Sequence, residues 1–219
     1  GMQDLSFIAW CLEHLNYGTI FLLMTIESSF IPFPSEVVVP PAGYLARAGE
    51  LSSWGVVLAS SLGAIAGALI NYLLALWLGR PLVYRFVNSR LGHALLLSEA
   101  KLIKAEQYFD KKGAVSTFIG RLLPGIRQLI SIPAGLAKMP LATFLFYTLL
   151  GAGLWNTILF LMGYFLPSMV PGIDTKEQLV EQVTKYSHEI GFTLLSLVAL
   201  VLAILIVKHY LKRRKLPNN

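Results

Sequence analysis

Cysteine is nearly absent. Cys11 is the only one in 219 residues, which excludes an intrachain disulfide and a cysteine-built metal site. Charge is scarce as well: 14% of residues are charged, against about 25% in soluble domains. None falls between Trp54 and Leu78. Histidine is thin, and His14, His93, His188 and His209 show no metal-ligand spacing. The chain carries no G-x-S-x-G, H-E-x-x-H or GxxxxGK[ST] pattern, so neither an enzyme nor a cofactor or metal requirement is expected. The formal charge of +6 is concentrated in two places. In so apolar a chain that is a topology signal and not a nucleic-acid footprint.

What is present is hydrocarbon, with a mean hydropathy of +0.64. The expected fold is a single all-α integral membrane domain over residues 2–219. Gly1 ahead of Met2 reads as a remnant of tag removal, and Met2–Leu12 lacks the basic start of a cleavable signal. Asp4–Leu15 is amphipathic, with Trp10 as an interface anchor, and Asn16–Ser29 continues as a helix entering the bilayer. One span from Leu5 to Ile26 is the alternative. Residues 54–79 and 141–166 are long enough to cross, and 190–207 is about the minimum. Ala59, Gly63, Gly67 and Asn71 share one helix face, which suits close helix approach and suggests a homodimer contact at Gly63/Gly67. Residues 80–112 form a basic connection with a short helix begun by Ser98, suited to anionic lipid headgroups. The segment 167–189 is expected to be an acidic external loop, and 208–219 a basic tail.

Two stretches break the apolar pattern. Residues 30–43 carry Pro32, Pro34, Pro40 and Pro41 with Glu36, just after Glu27; residues 118–135 carry Pro124 and Pro133 with Arg121 and Arg127. Pro-Ala-Gly recurs at 41–43 and 133–135, an offset of 92 that also relates Pro32 to Pro124. Proline removes a donor and breaks a helix. Broken helices at membrane depth are tolerated only inside protein or beside a wet cavity. The two stretches are therefore expected to be re-entrant hairpins, the first within 2–53 and the second over 113–138. Paired interrupted segments in corresponding halves point to a transporter's binding site.

Positive residues mark the cytoplasmic side. The basic tail then lies inside, 167–189 outside and 80–112 inside, and the two hairpins open in opposite directions, as an inverted repeat requires.

Ionised groups at that depth are costly and usually functional. Arg121 and Arg127 are six apart, and the break at 124–125 lets both reach one point. Their donor forks suit a phosphate or carboxylate; alternatively they neutralise Glu27 and Glu36 and lock the hairpins together. Glu27 and Glu36 are candidates for proton coupling or for ion pairing. Ser35, Gln128, Asn71 and Asn156 are candidate cavity-lining residues.

The runs Glu27…Phe30-Ile31-Pro32-Phe33-Pro34-Ser35-Glu36…Ala42-Gly43-Tyr44-Leu45 and Gly120-Arg121-Leu122-Leu123-Pro124-Gly125-Ile126-Arg127…Pro133-Ala134-Gly135…Met139, followed by Phe144…Gly151…Trp155-Asn156, resemble the DedA family, also called SNARE-associated or VTT-domain membrane proteins. The likeness covers roughly residues 20–165. It implies a polytopic bacterial inner-membrane protein with opposed re-entrant hairpins. It further implies transport of undecaprenyl phosphate or a related lipid phosphate, coupled to protons, with Glu27, Glu36, Arg121 and Arg127 as the embedded acidic and basic pairs. A proton-coupled drug or ion transporter is the alternative.

Overall fold

A computed structural model describes residues 10–31, 33–123 and 126–214. Pro32, Pro124 and Gly125, residues 1–9 with the first part of the amphipathic stretch expected over Asp4–Leu15, and residues 215–219 lie outside the described residues. Among the described residues there is no strand. The helices are α1 (Tyr17–Ser28), α2 (Val39–Arg47), α3 (Ser53–Val87), α4 (Arg90–Ala94), α5 (Glu99–Lys112), α6 (Ser116–Gly120), α7 (Ser131–Leu136), α8 (Leu141–Met169) and α9 (Lys176–Arg214). Helices α3 and α8 are long and apolar enough to cross a membrane. Their outward faces expose Trp54, Leu58, Trp77, Phe146, Leu150 and Phe165. Apolar surface that continuous suits lipid and not water.

Local chemistry sets the helix ends. Asn16 caps α1 by accepting from the Thr19 amide at 3.0 Å, and Ser98 caps α5 by accepting from Lys101 at 3.2 Å; both satisfy donors that the first turn leaves free. Helix α5 buries Leu102, Ala105 and Phe109, the face its spacing predicts. Helix α3 bends sharply at Gly79 (φ 72°, ψ 171°), two residues before Pro81. That backbone region is essentially glycine's alone, and the bend falls where residue 79 is expected to end the span.

Two segments differ from expectation. Residues 167–189 are not a loop throughout: α8 runs to Met169 and α9 begins at Lys176. Leu179 and Val183 are buried there, in a cluster with Cys11, Val39 and Phe160, so apolar packing makes helix of an acidic stretch. The Gly63/Gly67 face is not open to a second copy. A Cβ at either position would strike α1, at the Phe21 and Thr25 carbonyls.

The chain is built as two corresponding halves. At an offset of 92 the first break runs from the end of α1 at Ser28 to the start of α2 at Val39; the second runs from the end of α6 at Gly120 to the start of α7 at Ser131. The long helices α3 and α8 correspond at an offset of 88, Ser53 with Leu141. Contacts follow the same rule. Gly63 lies against α1, and its counterpart Gly151 against α6. Gly43 of α2 meets the Phe160 carbonyl of α8, while Gly135 of α7 meets the Tyr72 carbonyl of α3. Arg47, after the first break, donates to the Tyr164 carbonyl of α8; Tyr72 of α3 donates to the carbonyl of Met139, the counterpart of Arg47. Each broken segment is thus held by the long helix of the other half. Such reciprocal contact is what a two-fold relation produces.

Candidate functional site

The last turn of α1, the middle of α3, the turn after α6 and the middle of α8 enclose a polar chamber. It is lined by Glu27, Ser28, Ala64, Arg121, Arg127, Ala152, Trp155 and Asn156, and its cavity of about 10 Å³ is closed around them, room for about one water. Ala64 and Ala152 are counterparts at the long-helix offset, so the chamber sits where the two halves meet.

Two arginines and one carboxylate face one another here. Arg121 is 2% exposed and Glu27 4%, so both charges are out of water. Glu27 Oε2 accepts from Ser28 Oγ at 2.8 Å. Its Oε1 lies 3.6 Å from Arg127 Nη2, an ion pair too long to be a hydrogen bond. The Arg127 guanidinium also lies over the Trp155 ring, 4.8 Å from its centroid. The ring's negative face attracts a desolvated cation by about 2 kcal/mol. Arg121 Nη2 donates to Ser131 Oγ at 3.1 Å. Two cations against one anion leave the chamber net positive. Arg121 Nε and Asn156 Nδ2 are buried without a hydrogen-bond partner. Each such orphan costs about 1–3 kcal/mol unless a ligand or solvent satisfies it. The unmet groups are donors, so the chamber lacks an acceptor, and its net positive charge favours an anionic one.

The structure brings together Glu27, Arg121, Arg127 and Asn156. Gln128 joins from the side: its Nε2 donates to the Glu27 carbonyl at 3.3 Å, and its own carbonyl accepts from Asn71 Nδ2 at 3.0 Å. Ser35 accepts from Trp155 Nε1 at 3.4 Å. Ser35 and Arg127 are counterparts at the offset of 92, and both touch Trp155. Asn71 lies two turns of α3 away from Ala64 and lines a separate apolar pocket.

Glu36 is the exception. It is buried but does not line the chamber, and among the described residues it forms no ion pair. It lies on a 3-10 turn, Ser35–Val37. With three residues per turn, pointing Ser35 at Trp155 swings Glu36 about 120° away. Ser28 and Ser131 were not singled out from sequence, and Trp155 entered only within the family resemblance, not as a site residue. Serines are common at turns and helix ends, so neither Ser28 nor Ser131 stands out by type, and a tryptophan in an apolar span reads as packing. The place of Trp155 next to Asn156 was the one available hint.

The family profile for the VTT domain matches residues 31–165. An alkaline phosphatase-like protein of Lactococcus lactis is 37% identical over 93% of this chain and 89% of its own length. The uncharacterised membrane protein YkoX of Bacillus subtilis is 46% identical over 62% of this chain and 58% of its own. Undecaprenyl phosphate transporter A of Staphylococcus aureus is 32% identical over 69% of this chain and 74% of its own. No solved structure matches. The broken segments, Arg121 and Arg127, and the long helices that clasp them all lie within or beside the matched region, and the chain belongs to the VTT-domain, or DedA, family of membrane proteins.

Proposed function

We propose that this protein is a transporter that carries a lipid phosphate, of the undecaprenyl phosphate kind, across the bacterial cytoplasmic membrane. The observation that carries the reading is the buried chamber with two guanidiniums, one carboxylate and two unpartnered donors, Arg121 Nε and Asn156 Nδ2. A phosphate supplies the acceptors those donors lack, and charge-assisted contacts offset the cost of burying the arginines. The relatives named undecaprenyl phosphate transporter A, in Staphylococcus aureus and Bacillus subtilis, support this substrate over a phosphatase substrate.

In this reading both breaks are re-entrant and enter the bilayer from opposite faces, with 80–112 and the tail cytoplasmic. The two-fold contacts support it, because exchanging the roles of the halves would carry the chamber from one leaflet to the other. Basic residues 80–112 meet anionic headgroups. Glu27, the chamber's only carboxylate, is the proton site. Protonating it removes the partner of Arg127 and frees that guanidinium for phosphate.

Reconstitution in vesicles tests this. Wild-type protein is expected to move a labelled polyprenyl phosphate between leaflets, faster with a pH gradient, and Arg127→Ala to abolish the movement while remaining folded. Wild-type rates in Arg127→Ala would refute a headgroup role. Flux of a small drug cation uncontested by short-chain phosphates would favour a proton-coupled drug transporter, with the arginines as counter-ions only.

A further inference from the structure

An apolar pocket lies on the inner side of the bend in α3. It is lined by Phe30, Asn71, Leu74, Ala75, Leu78, Val83, Phe86, Val87, Leu97 and Ile132, with a cavity volume of about 260 Å³. The bend at Gly79 makes it: folding residues 80–87 away from the helix axis sets Val83, Phe86 and Val87 opposite Leu74 and Leu78. That is larger than a packing defect and just below the range of small-molecule pockets, about 300–1,000 Å³, which suits a short length of hydrocarbon chain. Every lining side chain but one is hydrocarbon. The exception is Asn71, 2% exposed, whose Oδ1 has no partner.

The pocket is placed relative to the chamber. Ala64 lines the chamber, and Asn71, Ala75 and Leu78 line the pocket. These positions recur at seven, eleven and fourteen residues along α3, so they share one face. Ala64 and Asn71 are two turns, about 10 Å, apart. Phe30 lines the pocket three residues after Glu27 lines the chamber. Between them runs a single polar bar, from Asn71 to the Gln128 carbonyl and from the Gln128 side chain to the Glu27 carbonyl. A cationic chamber and a hydrocarbon pocket on one helix face, about 10 Å apart, match the two ends of one amphiphile.

We infer that the pocket receives the first isoprenoid units of the same lipid phosphate whose headgroup sits at Arg121 and Arg127. This rests on the proposed headgroup site and adds to it that the chain's proximal segment leaves the bilayer. The protein then selects its substrate by the chain as well as by the phosphate. Gln128 lies between the two compartments.

The test compares two probes on the full chain in phosphatidylcholine nanodiscs: isopentenyl phosphate, too short to reach the pocket, and farnesyl phosphate, which extends into it. Leu78→Trp narrows the pocket from a partly exposed position, and Leu74→Trp is a second such variant should the first not assemble. Farnesyl phosphate is expected to bind the variant about tenfold more weakly than wild type, as loss of a few buried methylenes requires, with isopentenyl phosphate unchanged. Partition into the nanodisc is the same for both proteins and cancels. If the variant binds both probes as wild type does, or weakens both equally, the pocket holds bulk lipid or nothing of the ligand, and this inference alone falls. If wild type binds neither probe, the headgroup site falls and the inference with it.

Discussion

Glu27 faces two guanidiniums by itself, and its removal strands both. Glu27 is buried but the Arg127 side chain is 18% exposed, so breaking the pair costs less than the about 3–5 kcal/mol of a fully buried one. Glu27→Ala is therefore expected to lower the Tm in detergent, and an unchanged Tm would show that the pair with Arg127 is not structural. Arg127→Lys separates charge from shape. Lysine keeps the positive charge but loses the planar fork that lies over Trp155. Polyprenyl phosphate movement is expected to fall about tenfold, the worth of part of a desolvated cation–π contact; full activity would show that a point charge suffices. The arginines, Glu27 and Asn156 were legible in the sequence because ions and amides at membrane depth are conspicuous. Glu36 was equally conspicuous, yet the chamber excludes it. Its side chain is aimed by a 3-10 turn whose register depends on Ser35 meeting Trp155, a contact 120 residues away.

The elements are held by glycines where backbones touch. Gly43 against α8 and Gly135 against α3 are counterparts in a reciprocal contact. Gly43→Leu and Gly135→Leu are each expected to cost about 1–3 kcal/mol or more through overpacking, and by similar amounts. Gly153, on α8 with nothing within 4 Å of a built Cβ, is the control: Gly153→Leu is expected to change stability by about 0.5 kcal/mol or less. Thermal unfolding of the three variants checks this, and equal loss in all three would mean that the clasp contributes nothing specific. Helix positions α1, α3, α5 and α8 followed from capping residues and apolar length. The helical start of α9 did not, because Lys176–Glu189 looks like a solvated acidic loop until Leu179 and Val183 find a core to enter.

For the molecule as a whole, opposite insertion of the two halves is open to direct measurement. With the buried Cys11 changed to serine, Glu50→Cys in the turn between α2 and α3 is expected to react with an impermeant thiol reagent from outside intact cells. Lys101→Cys on α5 is expected to react only after the membrane is opened. Labelling of both from one side would remove the inverted arrangement, and alternating exchange between leaflets with it. The membrane class, the two long spans, the paired breaks and their offset of 92 were determined by the sequence alone, because hydrocarbon content, proline and local charge act over a few residues and need no partner. Which charges meet was decided only by tertiary structure. A four-residue difference in offset between the breaks and the long helices and the crossing of each broken segment onto the opposite half place Arg121, Arg127 and Glu27 around one chamber. Those contacts join residues about a hundred positions apart, and no local preference in the chain encodes them.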